Sequence, residues 1–432
     1  MIDVVAFRTE GLGDSTYLLT FEGMALLVDP QRDIDRFLSA LGTAELRWVV
    51  ETHLHNDYVS GGLSAARETG AELVLPASAA PAFRHTPAFH NEQLSEGDLA
   101  LRPVHTPGHT PEHTSYVISV DGRDLAVFSG GSLLVGSAGR SDLLGDDRAE
   151  TLARLQYRSV RALGRLPAEC ALYPTHGAGS FCTVSSVASN TSTVGREIRD
   201  NPVLTYEDED SFVKVHLAGL QPYPTYYSRM GPINLAGPPP MPATRPPTVD
   251  AGSVPPDAIV VDIGSVESYA DGHLPGSINI PVDDQFGTWF GWLVPYGPAP
   301  YLVSRDEEDL DEAILQLARI GVDEIAGVIR DPRGPTLVES RVGRVADLPP
   351  DAQILDVRSP DERSTTAPGD THYRYLPDLA DGPPPGIDPS RPVWVMCASG
   401  YRAAIGASLL RGQGVDAVPV MDAGIADLPR MA

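Results

Sequence analysis

Cys397 is the residue whose surroundings carry the most specific chemistry. It lies in Val393-Trp394-Val395-Met396-Cys397-Ala398-Ser399-Gly400-Tyr401-Arg402. The pattern predicts an apolar strand that delivers the cysteine to a short loop, and a helix that starts near Arg402. Leu409-Leu410-Arg411-Gly412 supplies the helix stop. Successive backbone N–H groups of such a loop, around Ser399 and Gly400, form an anion nest reinforced by the helix N-terminus. A thiolate held there has a lowered pKa and is nucleophilic at neutral pH. Arg402 either adds positive charge or braces the loop; the bland alternative for Cys397 is a buried structural cysteine.

A second chemistry lies upstream. Thr52-His53-Leu54-His55-Asn56-Asp57-Tyr58 directly follows a buried strand, and imidazoles at i and i+2 with a carboxylate close behind can converge on one cation. His105-Thr106-Pro107-Gly108-His109-Thr110 and Pro174-Thr175-His176-Gly177 follow further strand ends, where α/β folds gather ligands. One such histidine is more often a hydrogen-bonded structural residue. Three clusters in this order make His53, His55, Asp57, His109 and His176 candidate metal ligands.

The elements that must position these groups are short. Arg47 to Val50 reads as a buried strand and Gly61 to Thr69 as a helix. Ser115 to Val120 and Leu125 to Phe128 flank a hairpin turn at Asp121-Gly122. Asp146 is placed to cap a helix running through Ala162. The proline-rich passage from Gln221 to Pro256 reads as a linker. Beyond it two similar units each open with an apolar strand ending at an aspartate, Ile259-Val260-Val261-Asp262 and Ile354-Leu355-Asp356. Their alternating strands and helices predict two small parallel α/β domains. The expected limits are 1–220 for the first domain, 221–250 for the linker, 251–335 for the second domain and 343–432 for the third, with the break near Arg333 to Arg344.

The histidine motifs resemble the metallo-β-lactamase superfamily, with its HxHxDH, PGHT and late-histidine signatures. The likeness is greatest to persulfide dioxygenases fused to rhodanese domains, the CstB-like proteins. Gly136 to Leu143, His176 to Cys182 and Tyr226 to Asn234 extend it over nearly the whole chain. It implies an α/β architecture, an αββα sandwich followed by two rhodanese-like domains. It also implies Fe(II) on His53, His109 and an aspartate, but Gly131 stands where that aspartate is expected, and Tyr58 replaces the last histidine of HxHxDH. Non-haem iron oxygenases need two histidines and a carboxylate. Two readings follow: an iron centre completed by Asp57, His55 or Glu112, or a retired site without metal. By the same resemblance Arg140 meets the anionic end of a thiol cofactor, with a surface salt bridge as the alternative. Cys182 either relays sulfur or fills a small gap, while Cys170 reads as structural.

The C-x-x-G-x-R pattern at Cys397 resembles the rhodanese loop, which implies that Cys397 takes a sulfane sulfur and passes it to a nucleophile. The middle unit keeps the rhodanese-like stretch Gly272-His273-Leu274-Pro275-Gly276, yet Val303-Ser304-Arg305-Asp306 holds no cysteine, so it reads as structural. In the last unit Thr365 to Asp370 replaces the usual GHxPGA segment. The resemblance implies glutathione or coenzyme A persulfide, thiosulfate or sulfite, and a sulfur-acceptor protein as partners. A non-catalytic scaffold that docks a sulfur carrier is the second reading. A dinuclear zinc thioester hydrolase ranks last, because Tyr58 and Gly131 remove ligands from that pair of positions.

Composition bounds the rest. The 432 residues allow about three domains of roughly 150 residues. A net charge of −26 is no nucleic-acid footprint and repels anionic membranes. The start at Val4 to Phe7 is an apolar strand, not a signal peptide, and no stretch reaches transmembrane length. Three cysteines make no disulfide framework, which suits a reducing cytoplasm. A homo-oligomer is left open.

Overall fold

Ala25-Leu26-Leu27-Val28 is apolar at every position, which suits a strand covered on both faces. It belongs to a sheet of β1 (Asp3–Thr9), β2 (Asp14–Phe21), β3 (Met24–Val28), β4 (Glu45–Val50), β5 (Glu72–Pro76) and β6 (Thr86–Ala88), paired in that order. A second sheet contains β7 (Leu94–Glu96), β8 (Leu99–His105), β9 (Thr114–Val120) and β10 (Arg123–Gly130). After the short pair β11 (Leu133–Leu134) and β12 (Ser137–Ala138), β13 (Ala171–Pro174) and β14 (Ser192–Thr193) complete it, in the order β14-β13-β10-β9-β8-β7. Leu26 and Val28 join Tyr17, Trp48, Leu101, Tyr116 and Phe128 in the core between the sheets.

Ala25 and Leu27 face the other way, against Phe37 of helix α1 (Asp35–Leu38) and Leu63 of α2 (Gly62–Thr69). On the second sheet Val117, Val127 and Leu172 meet Ala153, Val160 and Leu163 of α3 (Asp146–Leu163). The result is an αββα sandwich. A bulge refines it: Ala25 pairs with Leu46 but Leu26 with Trp48, so the extra residue Arg47 sends Leu46 and Trp48 to different layers.

The expected strand at Arg47–Val50, the helix after Gly61 and the hairpin at Asp121-Gly122 are all present. Asp146 is the first residue of α3 rather than its cap; Gly145, with φ 104°, is the cap. After α4 (Val194–Asp200), α5 (Pro202–Thr205) and α6 (Glu209–Ala218), the passage expected as linker forms α7 (Tyr227–Ala236), with Pro232 inside it.

The computed structural model describes residues 2–183, 189–332, 337–366, 369 and 371–428. The chain divides into two units, Met1–Pro242 with Ala318–Gly321, and Ala243–Leu317 with Val322–Ala432. In the second unit β15 (Val260–Asp262), β16 (Ile278–Asn279), β17 (Tyr301–Val303) and β18 (Gly327–Ile329) form a parallel sheet ordered β16-β15-β17-β18. β19 (Gln353–Asp356), β20 (His372–Tyr373), β21 (Val393–Met396) and β22 (Ala417–Pro419) repeat that order as β20-β19-β21-β22. The helices are α8 (Val266–Asp271), α9 (Phe286–Leu293), α10 (Glu307–Arg319), α11 (Pro360–Thr365) and α12 (Tyr401–Gly412).

Two sheets share one unit because side chains tie them: Ser408 Oγ accepts from Asn279 N–H (3.0 Å), and Tyr401 OH donates to Pro281 O (2.9 Å). Ala367, Pro368 and Asp370 of the segment that replaces GHxPGA, and residues 333–336 of the expected break, lie outside the described residues. Among the described residues, no helix is long and apolar enough to cross a membrane.

Candidate functional site

The histidine loop leaves β4 and is held by the end of β3. Asp29, buried and with φ 49°, accepts from Thr52 N–H (2.6 Å), Thr52 Oγ1–H (2.7 Å) and the Thr175 hydroxyl. Because Thr52 Oγ1 donates to Asp29, it must accept from His53 Nδ1 (2.8 Å). His53 therefore carries its proton on Nδ1 and a lone pair on Nε2. His109 Nδ1 lies 2.8 Å from Arg140 O, and a carbonyl can only accept, so His109 Nε2 also bears a lone pair. That Nε2 is buried and has no hydrogen-bond partner. His176 Nδ1 lies between Asp14 Oδ1 (2.7 Å) and Asp57 Oδ2 (3.3 Å), which turns its Nε2 toward His53 Nε2, 3.3 Å away. His53 Nε2 and His109 Nε2 thus each present a lone pair, and His176 Nε2 lies within hydrogen-bond distance of the first.

Electrostatics agree with that arrangement. Burial, with the neighbouring imidazoles, holds His53 and His109 well below the usual histidine range, and burial lowers His176. His55 goes the other way. Burial would lower it, but Asp29 at 3.3 Å and Glu51 at 3.0 Å hold it well above that range. It stacks on Tyr58, with ring centroids 4.4 Å apart, and both of its buried ring nitrogens lack a hydrogen-bond partner. Burial raises Asp57 and Asp14 alike to about 7.

The iron set implied by the resemblance is not assembled. A Cβ at Gly131 would lie 2.2 Å from His109 Cδ2, so the imidazole occupies the space a carboxylate there would need. Among the described residues the convergent donor sets are His53/His55/His176, His109/His176/Cys182, Asp14/Asp57/His176 and Asp29/Glu51/His55, and none joins His53 to His109. Glu112, one expected substitute, accepts Leu54 N–H (3.0 Å). Asp57 instead receives the Cys182 thiol (3.5 Å).

Arg140 is no surface residue: 1% exposed, it pairs with both Asp142 oxygens (2.7 Å each). It also donates to Phe181 O and Gln221 O. Four bonds use most of its five N–H groups on its own chain, which leaves little with which to meet a thiol cofactor.

Four residues that sequence reasoning passed over complete the site. Asp14 and Asp29 fix imidazoles, as described. His113 Nε2 accepts Gly131 N–H (2.9 Å), and its place four residues after His109 was the available signal. Asn234 of α7 donates to His55 O and Tyr58 O (2.9 Å each) and accepts Ser60 N–H (2.8 Å). The proline-rich composition around it concealed that role.

In the second unit Cys397 follows β21, and α12 begins at Tyr401, one residue before the expected start. Gly400 caps it at φ 101°, a conformation that favours glycine, and its N–H points at Cys397 Sγ (3.1 Å). Among the described residues this is the one backbone N–H bonded to the sulfur, where a nest of several was expected. Ala398 and Ser399 are exposed while Cys397 is buried. Arg402 grips Glu362 through two bonds (2.5 and 2.7 Å), so it braces the loop. Burial would raise Glu362, but Arg402 and Ser359 hold it at about 2.

The two-sheet sandwich with buried histidines at its strand ends defines a metal-binding αββα protein. Comparison with known proteins is consistent with that class: residues 10–176 match the metallo-beta-lactamase superfamily. A probable metallo-hydrolase of Burkholderia pseudomallei is 32% identical over 208 residues, 42% of this chain and 68% of that protein. The chain belongs to the metallo-β-lactamase superfamily. It is also similar to a hydroxyacylglutathione hydrolase of Methylobacillus flagellatus, 29% identical over 41% of this chain and 65% of that protein. The chain thus spans about two thirds of the length of these curated relatives. A solved metallo-beta-lactamase from Staphylococcus aureus subsp. aureus COL matches with a TM-score of 0.69 and 28% identity, over 76% of this chain and 98% of that one.

Proposed function

We propose that this chain handles sulfur: its second unit is a rhodanese-type sulfurtransferase acting through a persulfide on Cys397. The observation that carries the reading is the Gly400 N–H aimed at Cys397 Sγ (3.1 Å) in a strand-to-helix turn braced by Arg402 and Glu362. In the first step the thiolate attacks the outer sulfur of the donor. A new S–S bond forms on Cys397 while the donor's S–S bond breaks, and with thiosulfate the electron pair leaves on sulfite. A nucleophile, cyanide or a thiol, then takes the outer sulfur and returns the pair to Sγ. The Gly400 N–H and the start of α12 favour the anionic sulfur in both states.

The first unit binds a low-molecular-weight thiol persulfide in this reading, and the hydroxyacylglutathione hydrolase relative supports a glutathione-related thiol. Coenzyme A persulfide is the alternative ligand. No dioxygenase step is assigned, since His53, His109 and a carboxylate do not converge.

Transfer from thiosulfate to cyanide tests the proposal. Cys397→Ala should reduce it to background, and the donor-treated wild type should carry one extra sulfur on the Cys397 peptide. Undiminished turnover in the variant would overturn the assignment.

A further inference from the structure

We infer that Cys182, His109 and His176 form a thiolate–imidazole site for a soft divalent cation of the zinc class, with His53 beside it. The site lies in the first unit and is independent of the sulfur transfer assigned to Cys397.

One donor atom from each of His109, His176 and Cys182 lies within 4.8 Å of the others, and all three residues are buried. His109 Nε2 is the independent sign of a missing ligand: a lone pair with no partner, sealed from solvent. Leaving such an atom unmatched costs about 1–3 kcal/mol. His53 Nε2 and His176 Nε2 stand 3.3 Å apart. Two imidazoles at about 2.0–2.1 Å from one tetrahedral ion span an edge of roughly this length.

With Gly131 in place of a carboxylate, the imidazoles have no anion from that side, and His109 fills the space. The Cys182 thiol supplies one, and its proton now goes to Asp57 (3.5 Å). Cation binding would form the metal–sulfur bond, and the thiol proton would pass to Asp57 or to solvent. Softness then decides which ion binds. Thiolate with imidazole suits zinc, whereas an oxygenase iron uses two histidines and a carboxylate with open positions. Two imidazoles and one thiolate would give a tetrahedral ion three protein ligands and leave its fourth position open.

The test uses the full chain, stripped of metal and titrated with Co(II). One Co(II) per chain is expected, with a thiolate-to-cobalt charge-transfer band in the near ultraviolet. Cys182→Ser should abolish the band, Cys170→Ser and Cys397→Ser should keep it, and His109→Gln should weaken binding by at least about 100-fold. Wild type that binds no Co(II), a bound ion without the band, or a band that survives in Cys182→Ser would each overturn the site. Should Cys182→Ser fail to fold, zinc-loaded Cys397→Ser protein decides by X-ray absorption. One sulfur in the inner shell supports the site, and none overturns it.

Discussion

At Gly131 the backbone N–H donates to His113 Nε2, and the space above Cα belongs to His109, so two imidazoles have settled around a residue with no side chain. Restoring the aspartate is therefore not a simple gain of a ligand. Gly131→Asp must displace the His109 ring, and overpacking of this kind costs about 1–3 kcal/mol. We expect the variant to melt earlier than wild type and to take up no iron on anaerobic loading; stoichiometric iron at unchanged stability would contradict this account. Glu362 gives a prediction of a different kind. Its folded pKa of about 2 lies below the ordinary 4.5, so its bond to Arg402 stabilises the protein fully above the ordinary value. That contribution is lost as pH falls from about 4.5 toward 2. Urea midpoints of wild type and Glu362→Gln should differ at pH 7 and converge toward pH 3, and a gap that stays constant with pH would exclude the linkage.

Among the elements, α7 shows where sequence patterns mislead. Strands such as β4 were legible because a run of apolar residues ending at a polar loop has few alternatives, and the turn at Asp121-Gly122 announced its hairpin. Helix α7 has no such autonomy. It carries Pro232 and lies among prolines, and tertiary contacts hold it rather than helix propensity. Three of those contacts come from Asn234, which closes the histidine loop through His55 O, Tyr58 O and Ser60 N–H. Asn234→Ala strands these buried groups together, and we expect a loss on the order of 3 kcal/mol. A shift in the urea midpoint at unchanged m-value would show it. A loss within about 0.5 kcal/mol, the range of surface substitutions, would mean that the loop is held by its own residues. The candidate ligands were legible for the same reason as the strands, since each histidine follows a strand end. The Nδ1 partners that choose each tautomer were not, because Asp14 lies 162 positions from His176 in sequence and pairs with it only through the fold.

At the scale of the whole chain, sulfur transfer and metal binding are assigned to units with separate cores. Tyr17, Leu26, Trp48 and Phe128 belong to one, and Ile354, Trp394, Met396 and Val418 to another. A ligand stabilises only the cooperative unit that binds it, by about 2.7 kcal/mol at a free concentration 100 times its Kd. For a unit of this size that is a shift of roughly 5–11 °C in Tm. Heating the intact protein should therefore give two transitions. A chelator should lower one of them by this amount, and the other should stay where it was. Sulfur loading of Cys397 should proceed at the same rate in both samples, because none of the groups around its Sγ belongs to the metal set. If a chelator moves a single common transition, or stops loading at Cys397, the two chemistries are coupled, and the separation argued from the cores does not hold.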